Sequence, residues 1–190
     1  MTNRRFGQTM HLPDGDPETV NVAEADYPYP GMIGAKITMN RPVRDRATGL
    51  VSGHEKQYQL VRTDSTMTVA PYHGAVAWWQ ATATYTVTTD PTALGRGRIA
   101  GAFTYACTRG NLTCIQKKGP IENLKFTNGV TASPTVAGLH VIPHSDAGKA
   151  DCLAAGSAPT YPLLGVTIGV YDAANAEGDV ELNVEDAVGG

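Results

Sequence analysis

The sequence predicts a mainly β protein: a small β-barrel or sandwich with an extended N-terminal arm and little helix. Three observations carry this. The 190 residues include 22 Thr and 16 Val against 5 Ser, and branching at Cβ favours strands over helices. They also include 21 Gly and 12 Pro, the residues that turns require. Lys and Glu together number only 13, too few to coat exposed helices. A net charge of −3 with 42% hydrophobic residues excludes a chain disordered throughout. No apolar run approaches the roughly 20 residues of a membrane span, so no membrane partner is expected. A pI near 5.9 argues against nucleic acid, whose phosphates require a basic surface. No apolar stretch follows Arg4-Arg5, so no secretory leader is expected either.

The chain divides into an arm at 1–32, a β-rich extension at 33–93 and a small barrel-like domain at 94–190. The arm lacks periodicity and is punctuated by Pro13-Asp14-Gly15-Asp16-Pro17 and Tyr27-Pro28-Tyr29-Pro30-Gly31. Proline fixes φ and pushes its predecessor towards extended backbone. Such an arm is ordered only where it lies on a surface, its own domain's or a partner's, and Tyr27, Tyr29 and Met32 offer apolar area for that contact. Deleting 1–32 is expected to leave the rest folded. Residues 33–39 alternate loosely as a strand, and 41–49, with Arg41, Arg44 and Arg46, read as a loop.

Residues 57–62 and 66–70 are short strand candidates, broken by Pro71 and Gly74. From Trp79 to Thr88 apolar Trp79, Ala81, Ala83, Tyr85 and Val87 alternate with Gln80, Thr82, Thr84, Thr86 and Thr88. That period of two predicts one strand, stopped at Asp90-Pro91. Within it Trp78 and Trp79 place their rings on opposite faces. One ring then joins a core while the other meets solvent or a partner, unless a loop covers both. Further short strands are expected at 99–105, 112–116, 121–126, 136–142, 163–170 and 180–184, with 147–155 the one helical candidate. Such spacing fits a barrel or sandwich rather than βαβ units. Two strand–turn–strand units echo each other around Gly110-Asn111 and Gly178-Asp179, with glycine expected to supply the positive φ.

Reactive chemistry is sparse. Cys107 and Cys114 flank Gly110-Asn111 symmetrically, a spacing compatible with a cross-strand disulfide or with two small buried thiols, the form expected in a reducing compartment. Cys152 stands alone. His140 and His144, followed by Ser145-Asp146, are the nearest approach to a metal or hydrolytic set, but two histidines do not close a zinc site. Gly95-Arg96-Gly97-Arg98 lacks the Lys-Ser/Thr of a phosphate loop. No catalytic residue, cofactor or metal ligand is assigned. Charge, by contrast, is segregated: residues 91–128 carry a formal +5 and residues 129–190 a formal −7. This either neutralises within one fold or gives complementary contact between copies. Tyr27, Tyr29, Met32, Trp78, Trp79, Arg96 and Arg98 are the candidate interface residues.

The stretch 85–93, followed by Gly97-Arg98-Ile99-Ala100-Gly101-Ala102-Phe103, resembles head-decoration, or capsid cement, proteins of tailed bacteriophages. The resemblance continues through 110–119 and 136–142, and ends at Leu163-Leu164-Gly165-Val166 with 178–184. It covers roughly 76–186, and the segment 1–75 departs from the compact members. It implies a small β-barrel made in the host bacterial cytoplasm and seated on the outer capsid surface of the virion. There it would bind the major capsid protein, staple neighbouring subunits and associate with itself as a homotrimer, without enzymatic activity. A carbohydrate- or receptor-binding β-module using Trp78, Trp79, Tyr27 and Tyr29 is the alternative expectation.

Overall fold

The structure, a computed structural model, describes residues 16–44, 51–81, 83–91, 99–159 and 162–185, with backbone alone at 41–44 and 51–54. Among the described residues ten strands form one hydrogen-bonded sheet: β1 (Lys36–Arg44), β2 (Val51–Thr63), β3 (Val76–Ala81), β4 (Thr86–Thr88), β5 (Ile99–Phe103), β6 (Leu112–Lys125), β7 (His140–Pro143), β8 (Ala150–Cys152), β9 (Gly165–Asp172) and β10 (Glu177–Asn183). Among the described residues the only helical turns are two 3-10 turns of three residues, at Glu24–Asp26 and Pro30–Met32. The mainly β expectation holds.

Five strands close into a barrel in the order β2-β4-β3-β5-β6, because β6 pairs back onto β2. Every pairing in it is antiparallel except β2–β4. Its interior draws on all five strands: Val61, Ala77, Trp79, Val87, Ala100, Phe103 and Ile115. Bulges in β3 at Ala77/Trp78 and Trp79/Ala81 supply the curvature that closure needs. Gly101, at φ 151°, crosses so close to the Gln116 carbonyl that a Cβ there would collide with it.

A second lobe grows from the far half of β6 in the order β6-β10-β9-β7-β8. It curls back on itself, since Phe126 makes a parallel bridge to Ala150 and the Thr127 amide donates to the Ala150 carbonyl. Its core of Ile121, Leu124, Phe126, Val141, Leu164, Val180 and Leu182 packs on the outer face of the barrel through Val76, Trp78, Ile99 and Ala102. The two lobes therefore share β6, which is one unbroken strand of 14 residues.

Several expectations are corrected. The alternating run from Trp79 to Thr88 is two strands joined by a turn, in which Tyr85 takes φ 51°. Threonine and apolar residues alternate in both arms, so the reversal left no mark on the pattern. Residues 112–116 and 121–126 merge into β6, where Gly119 at φ 88° and Pro120 sit within the strand. The helical candidate at 147–155 is a turn leading into β8, and 66–70 form no strand. Residues 41–44, read as loop, pair with 51–54 to lengthen the β1–β2 hairpin; 45–50 lie outside the described residues. In the second echoing unit the positive φ falls on Ala176, at 50°, rather than on Gly178.

Candidate functional site

The described part of the arm lies on the chain's own barrel. Backbone bonds join Val22 to Leu112 in both directions, at 3.1 and 2.8 Å. Val20 and Tyr27 are buried in a cluster with Tyr58 and Leu60 of β2 and Leu112 and Cys114 of β6, flanked by Met32, Ile37 and Met39. Polar contacts fix the register. Lys56 Nζ and the Tyr58 hydroxyl donate to Glu18, Asn111 Nδ2 donates to Asn21 Oδ1, and Arg62 donates to Glu24 through two nitrogens. Arg62 holds the Glu24 carboxyl below its usual range, against the opposing effect of burial.

Of the arm residues expected at an interface, Tyr27 is therefore a core residue, 4% exposed. Burial, with smaller effects from Cys114 and Tyr29, raises its phenol. Tyr29 meets its edge at 6.2 Å between centroids and remains exposed. Met32 is half-buried against the same cluster.

The tryptophans take the arrangement in which neither ring is free. Trp78 is 1% exposed in the core between the lobes, and Trp79 is 4% exposed inside the barrel. The expectation of one surface ring is corrected because both faces of β3 are covered, one by the barrel and one by the second lobe. Lys117, also within the wall and 1% exposed, holds its ammonium 6.0 Å from the Trp79 ring centroid. Arg96 and Arg98 lie outside the described residues.

The candidate reactive groups do not gather. Cys107, Cys114 and Cys152 are buried free thiols. Cys107 sits in the 104–111 connection rather than in β5, and Thr104, whose hydroxyl donates to the Cys114 carbonyl, takes the place opposite Cys114. Burial pushes Cys107 up to about 11, with a smaller opposing effect from Thr113. Burial, then the Asp151 charge, pushes Cys152 up to about 12. Burial raises Cys114 as well. His144 Nδ1 accepts from the Asp146 amide at 3.1 Å. His140 lies elsewhere, in a groove of about 820 Å³ with Lys118, Glu181 and Leu163. Among the described residues no three His, Cys, Asp or Glu side chains are placed to hold a metal ion.

Two surfaces went unremarked in the sequence. The outer face of β9 and β10 presents a cross-strand row, His140–Val166–Glu181. Ile168 lies on the same face, 43% exposed, while Gly165 and Thr167 between these positions are buried. The segment 136–138 runs alongside, with the Thr167 hydroxyl donating to the Val136 carbonyl and the Val136 side chain 58% exposed. The second surface is the β1–β2 ribbon. β2 pairs with β6 only from Gln57 onward, so among the described residues 51–56 have no strand partner but β1. The signal for the first surface was present as Val166-Thr167-Ile168; the ribbon was hidden by Pro42 and three arginines.

Comparisons with protein-family models, with curated proteins and with solved structures return no match.

Proposed function

We propose that this protein is a structural component of a tailed-phage virion that binds the outer capsid surface and bridges major capsid protein subunits. It acts as an associated set of copies, a homotrimer in the form the sequence resemblance implies, and performs no catalysis. The observation that carries the reading is the resemblance spanning roughly 76–186. Its supports are architectural. A closed barrel sharing a 14-residue strand with a second lobe is a rigid body suited to bearing load between neighbours. The segregated charge suits contacts whose register must be specified. Linked copies gain effective concentration at each further contact, so modest single contacts suffice.

The alternative, a carbohydrate- or receptor-binding module, has less support. Three of its four proposed rings, Tyr27, Trp78 and Trp79, are core residues, which leaves Tyr29 alone to stack on a sugar. The test is cosedimentation with capsid shells of the encoding phage assembled without the protein. Saturable binding that raises the shells' heat resistance is expected. Absence of binding, with retention on a glycan array lost in Tyr29→Ala, would replace this reading with the alternative.

A further inference from the structure

Asn128-Gly129 is the one Asn-Gly pair in the sequence, and the fold does not use it in the usual way. Asn-Gly commonly serves a type I′ hairpin turn, which needs φ above zero at both central residues. Neither Asn128 nor Gly129 has a positive φ. Both are exposed, in the turn that follows Phe126. Among the described residues no hydrogen bond holds the Asn128 carboxamide or the Gly129 amide. A Cβ added to Gly129 would meet nothing within 4 Å, so no neighbouring chain crowds the pair.

The chain on either side is fixed. Phe126 bridges to Ala150, and the Thr127 amide donates to the Ala150 carbonyl at 2.9 Å. Beyond the turn the Thr131 amide and hydroxyl both donate to the Asp151 carboxylate at 2.7 Å. The Ala132 amide then donates to the Cys152 carbonyl, and Val130 packs on the core of the second lobe. Residues 128 and 129 are thus an unheld step in a segment otherwise tied to β8. Other asparagines differ. Asn111 Nδ2 donates to Asn21 Oδ1 and Asn175 Nδ2 to Asp172 Oδ2, both at 2.8 Å, and bulkier Leu112 and Ala176 follow them.

We propose that Asn128-Gly129 is a site of spontaneous covalent modification, where Asn128 converts to isoaspartate and loosens the 127–132 segment from β8. The Gly129 nitrogen, its proton passing to hydroxide, attacks Cγ of the Asn128 carboxamide. The bond from Cγ to the side-chain nitrogen breaks, and that nitrogen takes a proton from water and leaves as ammonia. Water then opens the cyclic imide at either carbonyl, giving aspartate or isoaspartate. The sum consumes one water, releases one ammonia and changes no oxidation state. Glycine favours the attack because no Cβ shields its nitrogen, and hydroxide makes it faster as pH rises. In isoaspartate the main chain runs through the former side chain and gains one methylene, about 1.5 Å of bond. That length falls between ends that β8 fixes, so hydrogen bonds at Thr127 or Thr131 are lost.

Timed incubation of the full chain in heavy-oxygen water, mildly alkaline and below its melting temperature, tests this by peptide mapping. The tryptic peptide 126–149 holds Asn128 as its only carboxamide. Conversion of that amide to the acid is expected, with heavy oxygen taken up, faster at higher pH, and with isoaspartate detected by isoaspartate-specific methylation. Asn111 and Asn175 are expected to stay amides over the same time. Gly129→Ala, for which the structure has room, and Asn128→Gln are each expected to lose most of the conversion, with melts confirming that both fold. Converted protein, separated by its added charge, is expected to melt below freshly purified Asn128→Asp, which carries the charge without the methylene. Conversion at Asn128 no faster than at Asn111 and Asn175, or undiminished in Gly129→Ala, would overturn the site. Equal melting of the isoaspartate form and Asn128→Asp would overturn the loosening from β8.

Discussion

Trp78 and Trp79 are neighbours in sequence and belong to different cores. Trp78 closes the junction between the two lobes, while Trp79 fills the barrel against Val61, Val87 and Phe103. A strand whose successive side chains point to opposite faces can do this only when both faces are covered, and β3 contributes side chains to both cores.

Truncating either ring should therefore destabilise the whole molecule. Trp78→Ala and Trp79→Ala are each expected to cost about 3–5 kcal/mol, the range for large aromatic truncations in cores. Urea unfolding checks this through the midpoint. A loss below about 1 kcal/mol, the scale of a surface substitution, would place that ring at a surface.

The arm gives a second expectation, revised from the one the sequence gives. Because Val20 and Tyr27 are part of the cluster over β2 and β6, deleting 1–32 should uncover Tyr58, Leu60 and Leu112 and destabilise the barrel. Tyr27→Ala alone should cost about 2–4 kcal/mol. Thermal melts of the truncated protein that match the full chain would show that the arm is only an attachment.

Acid should release the same arm. Arg62 lowers the Glu24 carboxyl, so the pair contributes stability above the unfolded value near 4.5 that is lost as pH falls through the lower folded value. Glu24→Gln is expected to flatten the acid limb of the stability profile between pH 5 and 3, roughly the range in which carboxylates titrate. An unchanged limb would mean that the pair carries no linkage.

Thiol chemistry follows from burial. The three cysteines should resist a disulfide-exchange reagent in the folded protein and react on unfolding. The Cys107 proton is held more tightly in the folded state, so its contribution is complete below the ordinary value of 9.0 and is lost as pH rises through about 11. Cys107→Ala should soften that alkaline loss. A non-reducing mass short by two hydrogens would show a disulfide instead.

Much of the β architecture is legible in composition and alternation. The cores of β2, β5, β9 and β10 fall where apolar runs alternate between turns. Connectivity was harder to read. The turn at 83–85 is invisible because threonine serves strand and turn alike in this chain, and Tyr85 adopts a positive φ without a glycine to announce it. Gly119-Pro120 looks like a break yet lies within β6. There the missing side chain lets the strand pass the Glu55 carbonyl, and Gln116 Nε2 donates to the carbonyls of Gly119 and Pro120. Barrel closure depends on the pairing of β2 with β6, about fifty residues apart, which no local pattern encodes. The burial of Tyr27 and of both tryptophans is likewise tertiary: hydrophobicity marks a ring as able to make contact, but the partner is decided by which surface folds against it.

The proposed capsid role is decided by cryo-electron microscopy of intact particles of the phage that, under that proposal, encodes this chain. If the proposal holds, density for the two-lobed β body lies on the outer shell, touches at least two major capsid subunits, and is missing from particles that lack the gene. Density confined to the tail, or no copies in the virion at all, would contradict it.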